Sequence, residues 1–432
     1  MDKPSRQRAC HPLPILTSSH PFRGARLHRA GGSIRKWTKS VILCFGSLAL
    51  GAVAGEVTTV PLTIEPLTPI EGLADWDWTH ARTTFVAAAS PEWVTTMSQT
   101  TKLGSHGYHD IFESVSRDRG RTWTTPELIT SLRRFRDEED YDVAPGDLWP
   151  TYHAQTQCIL ATGKTFNFAH GETENFLREK VAYAVKDLKA GRWGTLRTMA
   201  MPKRDHSGHP ILAPNAGCNQ PEKLPNGDLL VPVRYQREAD SRIYTSVVVR
   251  CRFNGRTLEY VKHGSELTIP RGRGLYEPSM IQFSGESFLT LRADDTAYVT
   301  KGRDGIHYQP IREWSFDDGT RLGSYNTQQH WVRVGGGLFL VYTRRGADND
   351  HIFRHRAPLF IGQVDPERLV VLRETERVLL PENHACLGNS GICQVSDSEA
   401  WVTCGEVRVS YGQRKGENNR VLFARITADP VN

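Results

Sequence analysis

The sequence predicts an all-β protein, a β-propeller of six blades in which each blade is a four-stranded antiparallel sheet. Six stretches repeat one pattern: an apolar strand, a tight polar turn and a second apolar strand. A third apolar strand follows most of them, and helical periodicity is nearly absent. One blade cannot bury both of its faces, so six such units favour a closed ring in which neighbours cover one another. A β-sandwich with long loops is the alternative.

The six hairpins recur at intervals of roughly one blade. Their turns are expected to begin at Ser90, Thr162, Asn226, Ser284, Gly335 and Ser396, which are 72, 64, 58, 51 and 61 residues apart. Asn-Gly, Ser-Gly and Gly-Gly pairs at such turns are typical of β-hairpins. The third strands are expected in HDIFESVS, VAYAV, YTSVVVRCRF, TAYVTK and RVLFARI. The segment VTTVPLTIEP, which precedes blade 1, is expected to pair with the last blade and close the ring.

The chain is expected to comprise a basic leader with a signal peptide at residues 1–54 and one propeller domain at residues 55–432. The leader carries nine of the Lys and Arg residues and one acid, so the remainder of the chain is slightly acidic. That balance excludes a basic surface for nucleic acid. Lys36 and Lys39 precede a short apolar run that ends in Ala-Val-Ala, which is typical of a secretory signal. We therefore expect a secreted or periplasmic monomer without stable membrane insertion after cleavage; an uncleaved N-terminal anchor is the alternative.

Six of the eight cysteines follow the leader. Export permits disulfides, but scattered cysteines in strands are usually small buried hydrophobic residues, so both buried free thiols and one or two disulfides stay open. The cysteine spacings match no zinc template, and no phosphate-binding loop is spelled out. The sequence predicts no cofactor and no metal site.

The stretch SRDRGRTW, residues 116–123, follows a predicted strand and is expected to form the turn to the next one. Asp118 can accept backbone N–H groups, Gly120 can adopt a positive φ, and Trp123 can cover the outer edge of the blade. The sequence pattern S-x-D-x-G-x-T-W resembles the Asp box of sialidases and related BNR-repeat proteins, and every position of the motif matches. Looser copies stand at 302–308 (GRDGIHY) and 186–193 (KDLKAGRW).

The resemblance to the sialidase superfamily implies a sialidase-like propeller and an exo-α-sialidase-like hydrolase that removes a terminal acidic sugar. In that family three arginines bind the substrate carboxylate, and a glutamate activates a tyrosine nucleophile. Glu277 and Arg292, which flank one hairpin, resemble the Glu…Arg pair of the family. Arg344 or Arg345 stands where a further arginine falls, and Arg82 lies in the region of the first. An arginine fork suits a carboxylate because two parallel N–H···O bonds fix its orientation.

The remaining catalytic roles are assigned by position in the family's order. Asp110 lies between Arg82 and the Asp box, as the family's acid/base does, with Asp75 and Asp77 as alternatives. The family's nucleophile falls at the start of the last blade, where this chain has Asn389 and Ser390. The candidate nucleophiles are therefore two tyrosines that stand elsewhere, Tyr342 and Tyr411. If neither reaches the pocket, retaining sialidase chemistry is not accessible to this chain.

Polar residues gather just before several hairpins, where the loops at the mouth of a propeller converge. His153, Asn326, His330 and His351 belong to these clusters, which suit the hydroxyl groups of a sugar. The three histidines are candidate proton carriers, because imidazole titrates near neutral pH. Of these residues we assign the catalytic role to His330 and the other three to substrate binding. Two other functions stay open. A propeller polysaccharide lyase acting on a uronic-acid polymer needs no Tyr–Glu couple, and a sugar-binding propeller needs no catalytic group.

Overall fold

The computed structural model describes residues 57–72, 76–101, 107–169, 173–410, 413–414 and 419–428. The leader at 1–54 and the two candidates Asp75 and Tyr411 lie outside these residues. Among the residues described, no helix is long and apolar enough to cross a membrane. The six cysteines of the described part are all unpaired, and five of them are buried.

The predicted six-bladed β-propeller of antiparallel sheets is confirmed. The blades follow chain order, and their main strands run outward from the axis. Blade 1 consists of Asp77–Val86, Glu92–Thr100, Tyr108–Ser116 and Glu127–Leu128, and blade 2 of Tyr141–His153, Cys158–Ala169, Val181–Asp187 and Arg192–Trp193. Blade 3 consists of Leu212–Asn215 with Glu222–Lys223, Leu229–Gln236, Tyr244–Phe253 and Leu258–His263, and blade 4 of Tyr276–Phe283, Glu286–Arg292, Tyr298–Gly302 and Arg312–Glu313. Blade 5 consists of His330–Val334, Gly337–Tyr342, Leu359–Asp365 and Val370–Val371 with Arg377–Leu380, and blade 6 of Ser390–Ser396, Glu399–Gly405, Arg420–Thr427 and Thr63–Pro66.

Short strands and 3₁₀ turns supplement the main strands of the ring. Additional strands are Ile70–Glu71, Phe135–Arg136, Thr173–Glu174, Arg197–Thr198, Val409–Ser410 and Gln413–Arg414. Single 3₁₀ turns are Thr130–Leu132, Phe176–Arg178, Phe353–His355 and Arg373–Thr375.

The ring closes through the segment that precedes blade 1. Strand Thr63–Pro66 pairs antiparallel with Arg420–Thr427, so that Ile64 lies opposite Ile426. The outer strand of blade 6 therefore comes from the beginning of the propeller sequence, which leaves no open blade edge at the seam.

Five of the six expected hairpin turns lie where the sequence predicts them. The exception is blade 2, where Thr162 lies inside the strand Cys158–Ala169 and the turn is formed by Ala154–Gln157. Gly163 permits a close backbone approach instead of a turn, because a Cβ there would lie 2.4 Å from the carbonyl oxygen of Gly146.

The Asp118 turn fastens blade 1 to blade 6. Asp118 Oδ1 accepts hydrogen bonds from Ser116 Oγ and the Thr122 amide, both at 2.9 Å. Hydrogen bonds from Thr122 lower the pKa of Asp118 to about 2. The Trp123 ring stacks on Phe423 of blade 6 at 4.4 Å between centroids. The turn therefore has a structural role, as its sequence indicates.

The core consists of apolar layers between blades, and the axis itself is filled. Arg82 is fully buried and lies 5.0 Å from the ring centroid of Trp149, which packs against His330 at 4.9 Å. The Gln220 side chain exchanges two hydrogen bonds with the backbone of Trp331. These residues from four blades plug the channel, so that the starts and the ends of the innermost strands line separate cavities.

Candidate functional site

A cavity of about 280 Å³ opens at the end of the propeller where the innermost strands begin. All six blades or their connecting loops contribute to its wall. Its charged lining residues are His80, Asp147, Lys164, Arg234, Arg273, Glu277, Arg292, Arg354 and Arg356, and its tyrosines are Tyr108, Tyr244 and Tyr276. Six Lys and Arg side chains against two carboxylates give the cavity an excess of positive charge, which suits an anionic ligand.

β-Bulges in the innermost strands aim side chains into this cavity. The register shifts between Thr79 and Arg82, between Gly146 and Trp149, and between Tyr276 and Ser279. Within the three bulges, His80, Asp147 and Glu277 have φ angles of +48°, +54° and +47°. A bulge re-aims the side chain it carries, and positive φ in a residue other than glycine is typical of functional sites.

Glu277 and Arg292 form the ion pair that the sequence predicts, at the wall of the cavity. Arg292 donates to Glu277 Oε2 at 2.5 Å and to Asn326 Oδ1 at 2.7 Å. Burial acts to raise the pKa of Glu277, but the charge of Arg292 outweighs it and the pKa lies below its usual value. Burial likewise acts to lower the pKa of Arg292, and Glu277 reverses that effect. Asn326 is thus a positioning residue for the guanidinium group.

Most other cations of the cavity have acidic partners. Lys164 and Arg234 share Glu179, at 2.6 Å and 3.0 Å, and Arg273 pairs with Asp294 at 2.6 Å. Their charges are offset within the protein.

Arg354 and Arg356 differ from these cations. Neither forms an ion pair with a carboxylate among the described residues. Arg356 donates to the Asn326 carbonyl oxygen at 2.8 Å, while its Nε atom is buried without a hydrogen bond. Burial, aided by the charge of Arg292, lowers the pKa of Arg356 to about 10. An anionic ligand would relieve this unfavourable concentration of positive charge.

His80 and Asp147 lie side by side on the cavity floor. Nδ1 of His80 is 2.7 Å from Oδ1 of Asp147, and both side chains are buried. Burial acts to raise the pKa of Asp147, but His80 and then Lys164 and Arg82 hold it below its usual value. The imidazole also packs against Tyr108, with centroids 5.0 Å apart.

Several predicted site residues lie away from the cavity. Asp110 is on the third strand of blade 1, where its carboxylate accepts the Arg134 amide at 2.8 Å, so it does not reach a bound ligand. Arg82 lies beneath the cavity and donates to Gln328 at 3.2 Å. His330 is buried in the axial plug, where burial lowers its pKa well below the usual value. His153 bonds Thr156 and the Gly227 carbonyl oxygen at the turn between blades.

The candidates from blade 5 also occupy structural positions. Tyr342 and Arg344 both donate to Glu376, at 2.5 Å and 2.8 Å, and none of the three lines the cavity. Arg345 stacks on Tyr325 at 3.9 Å. His351 is half-exposed and lies 3.5 Å from Glu382. Of the residues predicted in this part of the chain, the structure brings Asn326 into contact with the cavity arginines.

No tyrosine hydroxyl group among the described residues hydrogen-bonds to Glu277. Tyr276 directs its hydroxyl to Asp294 at 2.7 Å, and Asn389 occupies the cavity wall at the start of blade 6. Tyr411 falls outside the described residues. In this part of the chain, the Tyr–Glu couple of retaining sialidases is not formed.

Sequence reasoning missed His80, Asp147, Cys218 and Arg356. The first three are 67 and 71 residues apart, and Arg356 follows Arg292 by 64 residues. These distances are close to one blade. Alignment of the innermost strands was the signal that could have found His80 and Asp147, whereas Cys218 follows the strand Leu212–Asn215 and Arg356 lies in the loop between the second and third strands of blade 5.

No protein-family model and no curated protein matches this chain. A protein of unknown function from Dyadobacter fermentans has a similar structure, with a TM-score of 0.59 at 12% identity, covering 85% of this chain and 99% of that one. Trypanosoma rangeli sialidase in complex with sialic acid has a TM-score of 0.56 at 12% identity, covering 83% of this chain and 58% of its own.

The NanB sialidase from Streptococcus pneumoniae is similar as well, with a TM-score of 0.53 at 12% identity, covering 85% of this chain and 71% of that one. This chain thus spans 58% and 71% of the lengths of the two sialidases. The likeness establishes a sialidase-like propeller fold.

Proposed function

We propose that this chain is an exported glycoside hydrolase that cleaves a terminal acidic sugar, in the manner of an exo-α-sialidase. The observation that carries the proposal is Arg356, a partly buried cation on the cavity wall whose Nε atom is buried without a hydrogen bond and which has no acidic partner among the described residues. Arg292, Arg354 and Arg356 would bind the sugar carboxylate, since arginine forks fix its orientation. The distant structural likeness to sialidases supports the same reaction. The predicted leader at 1–54 supports export.

Glu277 is the carboxylate best placed to accept a proton from an attacking water molecule. It lines the cavity and is held in its ionised form by Arg292. Because no tyrosine hydroxyl of the described residues contacts it, the proposal is direct attack by water and not a tyrosine-linked intermediate.

The test is a screen of the full chain on chromogenic sialosides and on uronic-acid polysaccharides. Arg356→Gln should raise KM for the acidic substrate about 10- to 100-fold, as expected for the loss of a hydrogen bond to a charged group. Arg345→Gln is the matched control, because this arginine stacks on Tyr325 outside the cavity lining. Equal KM values for Arg356→Gln and the wild type, or a preference for neutral sugars, would contradict the carboxylate site.

A polysaccharide lyase is the second candidate, and the absence of a Tyr–Glu couple among the described residues favours it. Elimination needs a cation to neutralise the uronic carboxylate and a base to remove the neighbouring proton, and Arg356 and Glu277 could supply both. The same screen separates the two reactions, because elimination gives an unsaturated product that absorbs ultraviolet light. Binding without either product would instead indicate a sugar-binding propeller.

A further inference from the structure

Three side chains of different chemistry converge on the floor of the cavity. His80 of blade 1, Asp147 of blade 2 and Cys218 of blade 3 each offer one donor atom, and these atoms all lie within 4.8 Å of one another. All three residues are more than nine-tenths buried, and all three line the cavity. Donor atoms of a tetrahedral zinc ion are about 3.3–3.8 Å apart, given bond lengths of about 2.0–2.3 Å.

The backbone is held in an unfavourable conformation at each of these residues. The φ angle is +48° at His80, +54° at Asp147 and +64° at Cys218. The Cys218 amide also donates to the Asp147 carbonyl oxygen at 3.3 Å, which ties blade 3 to blade 2 at this point. Left-handed backbone at three non-glycine residues persists only where the surroundings impose it, and such residues are typical of ligand clamps.

His80 and Asp147 are in close contact. Their Nδ1 and Oδ1 atoms are 2.7 Å apart, and both atoms are buried without a hydrogen bond of acceptable geometry. Ligands of one tetrahedral zinc ion lie about 3.3–3.8 Å apart, so a bound ion would separate these two atoms by at least about 0.6 Å. The two buried atoms without a well-formed hydrogen bond are an observation separate from the clustering.

We propose that His80, Asp147 and Cys218 bind one divalent transition-metal ion, with Zn²⁺ the best match, at the floor of the cavity. Imidazole, carboxylate and thiolate together suit Zn²⁺, whereas Ca²⁺ and Mg²⁺ prefer oxygen ligands alone. The ion displaces the thiol proton of Cys218, and with the resulting thiolate and the Asp147 carboxylate the occupied site has no net charge. Three protein ligands would leave a fourth position for water or a substrate oxygen.

Two other groups of potential ligands lack these features. Glu266, which lies near His206 and His263, is already bound by Arg237 and Ser207. The group formed by His351, Glu382 and His384 is exposed to solvent. The cluster on the cavity floor alone among these three combines burial, unsatisfied donor atoms and access to a cavity.

The test is a Co²⁺ titration of the full chain after its metal ions have been removed with a chelator. We expect one ion per chain, a thiolate-to-cobalt charge-transfer band and the intense visible bands of tetrahedral cobalt, all abolished when Zn²⁺ is added. Cys218→Ser should remove the charge-transfer band and weaken Co²⁺ binding by more than the 10- to 100-fold typical of losing an outer-shell partner. Cys251→Ser is the control, because this buried thiol contacts Met199 and Val249.

A wild-type protein that binds no stoichiometric Co²⁺, or a charge-transfer band that survives in Cys218→Ser, would overturn the metal site. If Cys218→Ser does not fold, the Co²⁺ titrations of the wild type and of His80→Gln still test the metal site. These readouts are spectroscopic and do not require the proposed hydrolase activity.

Discussion

At the scale of single residues, the cavity is built from charges that the protein itself only partly offsets. Arg292 is buried at 6% exposure and depends on Glu277 and Asn326 for compensation. Arg356 has a backbone carbonyl oxygen as its acceptor. A buried ion pair contributes little net stability, but removing one partner leaves an uncompensated charge. Glu277 therefore matters for stability as well as for the proposed chemistry.

Glu277→Gln should lower the free energy of unfolding by about 3 kcal/mol, at the lower end of the range for broken buried ion pairs because Asn326 remains bound to Arg292. The measurement is urea denaturation at neutral pH. Glu286→Gln is the control, since Lys301 keeps Glu367 as a second partner. A change no larger than that of the control would show that Arg292 does not depend on the pair.

At the scale of elements, the hairpins were predictable and the bulges were not. Asn226, Ser284 and Gly335 are local turn signals, and five of the six such signals mark hairpins, so the sequence alone predicts the blades. The bulges at His80, Asp147 and Glu277 depend on how a strand packs against the next blade, and no local pattern marks them. Blade 2 shows the same limit of local signals. Gly163 lies inside a strand and not in a turn, and it allows the backbone of Gly146 to approach closely.

This difference explains which site residues could be predicted. Glu277 and Arg292 flank one hairpin, so their proximity follows from a local signal. Asp110 and Tyr342 were assigned by chain order, and both lie outside the cavity lining, since chain order fixes the blade but not the side of the strand to which a side chain points.

The Asp118 turn allows a matched test of one such element. Gly120 has a φ of +76°, and a Cβ there would lie 2.9 Å from Leu67 and 3.0 Å from Trp401. Gly191 has a φ of +67° and open space around it. Gly191→Ala should cost about 1–2 kcal/mol, the penalty of a left-handed backbone, and Gly120→Ala about 1–3 kcal/mol more through overpacking.

Thermal denaturation of both variants would measure this difference. Substrate binding should be unchanged in either, because both turns are distant from the cavity lining. Equal destabilisation by the two substitutions would show that the turn of blade 1 does not pack on blade 6.

At the scale of the whole molecule, ring closure and the axial plug hold six sheets in one orientation. The plug of Arg82, Trp149 and His330 lies beneath the floor of the cavity and supports it. Residues from separate blades can then be positioned against one another without a hinge. This arrangement buries many carboxylates beside cations, both near the axis and between blades.

These carboxylates should make the protein sensitive to acid. For Asp147, Glu179, Asp205, Glu277 and Glu399, burial acts to raise the pKa, but neighbouring cations and hydrogen bonds outweigh it, so each folded-state pKa lies below the usual value. A group with a depressed folded pKa contributes stability that is complete above its unfolded pKa, about 4, and is lost as pH falls through the folded value. The contribution of these carboxylates should therefore be constant from pH 7 to 5 and fall steeply below pH 4. The buried His330, whose folded pKa lies well below its unfolded value of about 6.5, adds a shallower decline that begins near pH 6.5. Each such carboxylate contributes a slope of up to about 1.4 kcal/mol per pH unit to the free energy of unfolding, so Glu277→Gln should flatten the fall by at most that amount.

Urea denaturation of the wild type and of Glu277→Gln at a series of pH values measures both slopes. A midpoint that stays level between pH 5 and 3 would show that these carboxylates are not held ionised by their partners, and would remove the electrostatic basis of the Glu277–Arg292 site.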